Sequence, residues 1–362
     1  MAETDPSVRV SVIMPVRNEA GCIKETIRSV LDQEEPEGGF ELIVVDGQSD
    51  DGTRQVLVEL AESSVCIPMR LIDNPRRITP VGFNLGIRSA KGQIIILMGA
   101  HNTYAKDYIL QCVRKLEETG ADNVGGAMQA HGEGLVQQAI AVAHHCWFAV
   151  GGARWHNASY EGPADTVFGG AYRRSVFDQI GLFDEELVRN QDDELNLRLI
   201  RSGGRIWHSP AIRSRYSPRN SLFHLWRQYF QYGYWKVRVI QKHRMPASVR
   251  HFVPGGFVLT LLVLAALTCL GGALSLALET AWIWHAFSVS GRALGLVLSV
   301  YLVAAVFAAI GCGTRHGWSV VLLLPLVFAC YHFAYGIGFL RGVFDFMIRR
   351  EGQATICSSL SR

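Results

Sequence analysis

The chain has 362 residues, about two domains' worth at roughly 150 residues each, which excludes a peptide hormone or a disulfide-held miniprotein. Its 35 Lys and Arg against 32 Asp and Glu hide a partition: residues 1–200 carry 18 basic and 29 acidic side chains, residues 201–250 carry eleven basic and no acidic ones, and Val253–Leu340 carries only Glu279, Arg292 and Arg315. An acidic globular part, a basic collar and an apolar block follow one another, and the last excludes an ordinary water-exposed domain.

In chain order, Met1–Ser7 is polar and has no apolar h-region, so no cleavable signal peptide is expected and the first 250 residues are expected in the cytoplasm. The eight cysteines show no C-x-x-C or zinc-finger spacing, which agrees with a reduced compartment. Val8–Met14 is a short β-branched run ended by Pro15, as expected of a strand buried on both faces. Leu42–Val45, Ile94–Met98 and, more weakly, Met69–Ile72 repeat the pattern. Asn18–Asp32, Gly52–Ser63 and Pro80–Ala90 lie between them as predicted helices, the last with Thr79 as N-cap and Pro80 at the first helical position. Such alternation predicts a mostly parallel, doubly wound sheet with ligands at the carboxyl ends of its strands, at residues 15–19, 46–53, 73–77 and 99–102.

Beyond residue 120 the pattern predicts a strand at Val124–Ala130, a helix at Leu135–Val150, a strand at Val167–Tyr172 and a helix at Asp193–Ser202 stopped by Gly203 and Gly204. Residues 1–218 are expected to form one cytoplasmic domain. The collar, 219–252, mixes Phe223, Trp226, Tyr229 and Trp235 with Arg227, Lys236 and Arg238. It reads either as a basic aromatic interfacial helix on anionic lipid or as a core-facing helix. No nucleic-acid motif accompanies it, so nucleic acid is not expected as a partner.

Val253–Leu278, Ala293–Cys312 and Trp318–Leu340 are each long and apolar enough to cross a bilayer, so residues 253–340 are expected to form about three transmembrane helices, followed by a tail at 341–362. The collar puts its side in the cytoplasm by the positive-inside rule, but three crossings then put Arg341, Arg349 and Arg350 outside. Either one segment is re-entrant, or Ala281–Val289 adds a fourth membrane element, or the rule fails here.

No G-x-G-x-x-G follows the first strand and no G-x-x-x-x-G-K-[ST] occurs, so dinucleotide and P-loop schemes lose their support. Asp46-Gly47-Gln48-Ser49-Asp50-Asp51-Gly52-Thr53 instead closes a buried strand and opens a helix. A carboxylate there can accept hydrogen bonds from a base or ribose, although an acidic turn capped by Asp51 or Ser49 fits the segment alone equally well. With P-V-R-N-E at 15–19, N-P-R-R-I-T-P-V-G-F-N-L-G-I at 74–87, F-G-G-A-Y-R-R at 168–174 and N-Q-D-D-E-L-N-L-R-L at 190–199, the chain resembles the inverting family 2 glycosyltransferases of GT-A fold, in their membrane-attached exopolysaccharide branch.

The resemblance spans roughly residues 8–345 and implies an α/β, Rossmann-like GT-A catalytic domain followed by a helical transmembrane region. It implies a nucleotide-sugar donor, UDP-linked, held at Pro15, Val16, Asn18, Glu19, Asp46, Ser49, Asp51, Arg77, Asn84 and Ala100, with Asp46 on the uracil and ribose. Asp192 matches the acceptor-activating base, Asp193 and Glu194 orient acceptor or base, and Gly169 and Gly170 let the acceptor approach. An inverting displacement needs such a carboxylate opposite the leaving nucleotide, and adjacent acids raise one another's pKa values, which suits a base. A solvated acidic helix start is the plainer alternative.

The implied acceptor is a lipid-linked saccharide, and the implied cofactor is Mg2+ or Mn2+ at the end of the fourth strand, where the family has Asp-x-Asp or Asp-x-His. Here the triplet is Gly99-Ala100-His101, which leaves His101 as the metal ligand without the first carboxylate. Two rivals follow: an enzyme that charges polyprenyl phosphate itself, and a catalytically silent membrane subunit. His208 is a further candidate to face the diphosphate, whereas His144, His145 and His332 are expected to serve packing.

Overall fold

The structure, a computed structural model, describes residues 8–64, 66–126, 128–152, 154–246, 248–277 and 281–349. Met1–Ser7, Glu279 and residues 350–362 of the expected tail, with Arg350, lie outside these residues, whereas 341–348 are helical and continue the third apolar stretch rather than forming a tail. The strands are β1 (Val10–Val16), β2 (Phe40–Asp46), β3 (Met69–Asp73), β4 (Ile94–Leu97), β5 (Asn102–Tyr104), β6 (Asn123–Gly126), β7 (Met128–Ala130), β8 (Gly162–Pro163), β9 (Phe168–Arg173), β10 (Ile206–His208) and β11 (Ser214–Tyr216). Helices α1 (Ile23–Leu31), α2 (Thr53–Ser63), α3 (Thr79–Ser89) and α4 (Tyr108–Thr119) follow the first strands. Then come α5 (Leu135–His144), α6 (Trp147–Val150), α7 (Arg174–Ile180), α8 (Gln191–Arg201), α9 (Leu222–His243), α10 (Val253–Ala277), α11 (Ala281–His316) and α12 (Leu324–Gly342).

The chain divides into two compact units, one of Met1–His131 with Gly152–Ser217, the other of Gly132–Gly151 with Pro218–Arg362. In the first, eight strands form a sheet in the order β3-β2-β1-β4-β9-β6-β10-β8, and β5-β11-β7 form a second small sheet. Strands β3, β2, β1 and β4 are parallel, whereas β9 runs antiparallel between β4 and β6. Alternation along the strands splits the core in two: Val10, Val12 and Met14 with Leu42, Val44 and Ile96 face one side, and Ile13 with Ile43, Val45 and Ile95 face the other. Both faces are apolar because helices cover both, which is why these strands read as continuous hydrophobic runs.

Three local expectations are corrected. The Val124–Ala130 run is two strands, β6 and β7, in different sheets. Helix α3 begins one residue early, so Ile78 is its N-cap, Thr79 makes no side-chain cap bond, and Pro80 sits in the first turn, where its missing N–H costs nothing. Residues 132–151 belong to the second unit and not to the first: Ala139, Ile140 and Ala143 of α5 pack into one apolar cluster with Leu324, Val327, Phe328 and Tyr331 of α12.

In the second unit, three stretches are long and apolar enough to cross a membrane, Val249–Ser275, Trp284–Arg315 and Leu324–Ile348 among the described residues. Ala281–Val289 is no separate element but the beginning of α11. The first two stretches are mostly exposed, while the third is half buried, largely against α9. Glycine allows that contact: a Cβ on Gly338 would lie 2.0 Å from the Phe230 carbonyl oxygen. The collar helix is therefore neither wholly interfacial nor a core helix of the globular domain. Tyr234 and Trp235 are buried, and Phe223 and Trp226 are exposed.

Candidate active site

The carboxyl ends of β1 and β2 are laced together before any ligand is considered. Asn18 donates from Nδ2 to Asp50 Oδ1 (2.9 Å) and accepts the Asp50 N–H at Oδ1 (3.1 Å), and its own N–H goes to Ser49 Oγ (3.0 Å). Glu19 N–H donates to Thr53 Oγ1 (2.8 Å), and Ala20 N–H to Asp51 Oδ2 (3.1 Å). Although burial raises the Asp51 pKa, hydrogen bonds from the Thr53 hydroxyl and from the Ala20 and Thr53 amides hold it below the ordinary 3.8. Asn18 and Asp51 thus brace the two loops with the groups expected to meet the nucleotide, while Val16 does the same with its backbone, its carbonyl accepting the Gly47 N–H (2.8 Å).

Asp46 is 0% exposed. Its Oδ1 accepts from Ser49 N–H (3.2 Å) and Oγ (2.6 Å), and its Oδ2 from Arg54 Nη1 (3.0 Å), which also bonds Asp73. A cavity of about 520 Å³ opens there, lined by Asp46, Gln48, Ser49, Arg54, Asp73 and Pro75. Of the expected nucleotide residues, Asp46 and Ser49 line it, and Arg77 adjoins it by donating from Nε to Gln48 Oε1 (2.7 Å). Sequence reasoning missed Gln48, Arg54, Asp73 and Pro75 as individuals. The signal for Arg54 was its place in the first turn of the helix that opens after Asp46.

Backbone strain clusters here too. Among the described residues the non-glycine residues with positive φ are Asn18, Gln48, Arg77, Asn190 and Arg244. Asn tolerates that region, whereas Gln48 (φ 56°) and Arg77 (φ 61°) pay a conformational cost at the cavity mouth.

Asn84 is not at the cavity. It is 1% exposed and donates to the Phe183 carbonyl and Glu185 Oε1 (both 2.9 Å), while its Oδ1 accepts the Phe183 N–H (2.9 Å). With the whole amide engaged, it ties α3 to the loop that leads into α8.

At the end of β4, His101 Nδ1 lies 3.5 Å from Glu19 Oε1, and its ring packs 5.4 Å from that of Tyr216. Ala100 is buried. No group of three or more His, Cys, Asp or Glu converges among the described residues, so no complete metal cluster is preformed. The place of a side chain at position 99 is taken: a Cβ on Gly99 would lie 2.4 Å from Asn102 Nδ2. Asn102 is 2% exposed, and its Nδ2 donates to Tyr104 Oη (3.3 Å), which in turn accepts the Gly99 N–H (2.7 Å).

Across the sheet, Gly169 and Gly170 both adopt positive φ, 75° and 71°. A Cβ at Gly169 would lie 2.9 Å from Tyr108 Oη and 3.1 Å from the Leu97 carbonyl oxygen, so both backbone and packing require glycine. Helix α8 begins after Asn190 (φ 61°) and carries Asp192 exposed, Asp193 half-buried and Glu194 buried. Glu194 is held in a fork by Arg198, Nε to Oε1 and Nη2 to Oε2 at 2.8 Å each, and Arg198 Nη2 also reaches the Leu182 carbonyl (2.7 Å). Below them Tyr172 Oη and Asn123 Nδ2 both donate to Asn196 Oδ1 (3.0 Å). Burial, and then the charges of Asp192 and Asp193, push the Tyr172 pKa up, which puts both acids within electrostatic reach of β9.

His208 does not face this site. It is 0% exposed, with Nδ1 2.7 Å from the Tyr160 carbonyl oxygen, and burial lowers its pKa.

Residues 11–181 match the model of the family described as glycosyl transferase family 2. The chain is 31% identical over 245 residues to the succinoglycan biosynthesis protein ExoA of Rhizobium meliloti (strain 1021), covering 67% of this chain and 73% of that protein. The chain belongs to glycosyl transferase family 2.

It is therefore a glycosyltransferase, and its fold is GT-A. A second relative, 24% identical over 92% of this chain and 97% of its own, is the Methanococcus voltae dolichyl N-acetyl-alpha-D-glucosaminyl phosphate 3-beta-D-2,3-diacetamido-2,3-dideoxy-beta-D-glucuronosyltransferase. Among solved structures, the mannosyltransferase PcManGT from Pyrobaculum calidifontis, in complex with GDP-Man and Mn2+, aligns with a TM-score of 0.58 at 19% identity, covering 93% of this chain and 89% of that one.

Proposed function

We propose that this glycosyltransferase transfers a sugar, with inversion, from a UDP-sugar to a hydroxyl of a saccharide held in the membrane on polyprenyl diphosphate, in polysaccharide or glycan synthesis. The observation that carries this is the contrast between two carboxylates in the catalytic unit. Asp46 is buried at the cavity and fixed on both oxygens by Ser49 and Arg54, as a group that must hold its place beside a donor requires, and Asp192 is exposed at a helix start, where a group that takes a proton can meet an acceptor.

In the proposed step the acceptor oxygen attacks the anomeric carbon on the face away from the nucleotide, and its proton passes to the Asp192 carboxylate. The bond from that carbon to the diphosphate oxygen breaks, and the nucleoside diphosphate leaves with the electron pair. Asp193 orients the acceptor, Glu194 fixes α8 through Arg198, and Gly169 and Gly170 leave room for the acceptor. His101 and Glu19 fit a divalent ion of the kind that takes one or two protein ligands and completes its shell from phosphate and water. Mg2+ or Mn2+ held there would supply positive charge against the departing diphosphate. The relatives' printed roles support a lipid-linked acceptor and a polysaccharide product. The three long apolar helices support a membrane location, with the basic collar, on anionic lipid, marking the catalytic unit's side as cytoplasmic.

The test is a screen of nucleotide sugars against the full chain in lipid nanodiscs, with a polyprenyl-diphosphate-linked saccharide or free polyprenyl phosphate as acceptor. Transfer from a UDP-sugar to the saccharide is the expected result. Transfer to polyprenyl phosphate alone would make the chain a monoglycosyltransferase, and no hydrolysis or transfer with any donor would make it a silent subunit.

A further inference from the structure

Helices α10 and α11 form an antiparallel pair in register. Phe257 stacks on Tyr301 (5.0 Å), Thr268 Oγ1 donates to Ser290 Oγ (3.1 Å), and Gly271 lies against Phe287. Val253, where α10 begins, thus stands level with Ala305 at one end of the pair, and Gly271 and Phe287 approach the other. Helix α12 meets the first end. Just before it Val321 packs against Gly313, and its own Leu324, Val327 and Phe328 share an apolar cluster with Ala305 and Ala309. Midway, His332 Nδ1 lies 2.9 Å from Tyr301 Oη, and the Phe333 ring 5.6 Å from that of Phe257. Further on, Gly336 lies against Pro254, and the Phe339 ring 5.8 Å from that of Phe252. These partners stay within 252–257 and 301–313. A straight helix as long as Leu324–Ile348, about 37 Å, crossing beside the pair would run down to the level of Thr268 and Ser290.

Chain connectivity decides which side that end faces. The segment with α5 and α6 leaves the first unit at Gly132 and returns to it after Gly151. Helix α5 has 10 residues, about 15 Å or half of a hydrocarbon core, too short for the segment to cross and come back. His144 Nδ1 of this segment lies 3.3 Å from Tyr331 Oη, and its Phe148 carbonyl oxygen 2.9 Å from His332 Nε2. The first half of α12 is therefore on the first unit's side of a bilayer. Phe339 is on that side as well, because its partner Phe252 stands at the level of Ala305, which shares a cluster with Ala139 and Ile140 of α5.

Helix α9 runs beside α12 in the same direction. The Leu222 carbonyl accepts from Cys330 Sγ (3.5 Å), the Tyr229 and Tyr331 rings lie 4.1 Å apart, and Gln241 Nε2 donates to the Phe346 carbonyl (2.8 Å). Leu326, Ile337, Phe344 and Ile348 are exposed and recur at helical spacing, along one face of α12 and of the π-helical turn Val343–Ile348 that continues it. Arg341 and Arg349 flank the Phe344 ring at 5.7 and 5.0 Å. An apolar stripe ending between two cations is the pattern of a helix seated at headgroup depth.

We infer that, of the three long apolar stretches, only those of α10 and α11 cross the bilayer. Helix α12, paired with α9, lies along the interface on the first unit's side, its exposed apolar face in the acyl boundary and Arg341 and Arg349 against the phosphates of that leaflet. The partner of this surface is the lipid itself. Two crossings return Arg341, Arg349 and Arg350 to the collar's side, so the positive-inside rule holds. The inference rests on the membrane location proposed above and is independent of donor and acceptor.

The experiment labels single cysteines of the full chain with a membrane-impermeant maleimide, in spheroplasts and after lysis, the other native cysteines being replaced by serine. Glu133→Cys reports the first unit's side, His285→Cys the far end of the α10–α11 pair, and native Cys357 the chain beyond α12. Cys357 is expected to label with Glu133→Cys and opposite to His285→Cys. Labelling of Cys357 with His285→Cys would mean that α12 crosses and would overturn the inference. Labelling of Glu133→Cys with His285→Cys would mean that α10 and α11 do not cross, and the membrane location itself falls. If the cysteine-replaced chain fails to fold, epitope tags at the two ends of the otherwise unchanged chain are expected on one side, and tags on opposite sides would overturn the inference. Nitroxides on Leu326→Cys, Ile337→Cys and Ile348→Cys in nanodiscs are expected at one shallow depth, and Ile337→Cys far deeper than the other two would overturn it as well.

Discussion

The end of β2 and the start of α8 each present a carboxylate, and the two are built in opposite ways. Asp46 is sealed under Arg54 and Ser49, its loop stitched to the β1–α1 turn by hydrogen bonds from Asn18, Glu19 and Ala20. Asp192 stands exposed in the first turn of α8, while its neighbour Glu194 is clamped by Arg198 and Asn196 ties the helix to β9. Rigidity falls on the carboxylate itself in the first case and on the helix beneath the carboxylate in the second. A buried, bonded acid is poor at taking a proton, and an exposed acid on a fixed helix is well placed to do so.

That contrast breaks first at Asp192. Asp192→Asn is expected to lower transfer about a thousandfold and leave donor affinity unchanged, since general-base catalysis contributes roughly 10²–10⁴. Single-turnover kinetics with a parallel binding measurement check it, and equal losses of binding and transfer would merge the two roles. A smaller effect is expected from Glu194→Gln, which breaks the fork with Arg198 and should cost about 2 kcal/mol of stability with transfer retained at low temperature. Chemical denaturation measures it, and a loss of transfer without a loss of stability would make Glu194 part of the chemistry.

Gly99→Asp probes the end of β4. The added side chain meets Asn102, so the variant is expected to melt a few degrees lower, and Asn102→Ala in the same chain is expected to recover part of that loss. Equal melting of Gly99→Asp and the unchanged protein would mean the seat is open.

The smallest effect is pH dependence. Burial depresses the pKa of His208 from 6.5, and that of His144, helped by His145, from 6.5 to about 3. Both folded values lie below the unfolded one, so the unfolded chain binds more protons as pH falls below about 6.5 and stability is lost there. Melting temperatures at pH 7.5 and 5.5 are expected to differ by a few degrees, and His208→Asn should shrink the difference. An unchanged difference would show that His208 is protonated in the fold.

The first four strands and the three long apolar stretches were legible because a parallel sheet covered on both faces and a bilayer span both require unbroken apolar runs. The two units' boundary was not. The α5–α6 stretch sits between strands of the catalytic unit in sequence, yet Ala139 and Ile140 pack with α12, a choice made by tertiary contact that periodicity does not record. Order and spacing pointed to Asp46 and Ser49, which line the cavity, and to the acids that open α8. Asn18, Asp51 and Asn84 read as ligand contacts, and the structure also engages them with neighbouring segments, because short polar side chains satisfy nearby backbone as readily as a nucleotide. Arg54 was passed over because its place in the first turn of α2 marks it as near the end of β2 but not as faced by two acids.

The stereochemistry of one turnover tests the Asp192 assignment most directly. Proton NMR of the product made from an α-linked UDP-sugar is expected to show a β-linkage, as required when one base at Asp192 drives attack opposite the nucleotide. An α-linked product would mean retention at the anomeric carbon and would contradict that assignment.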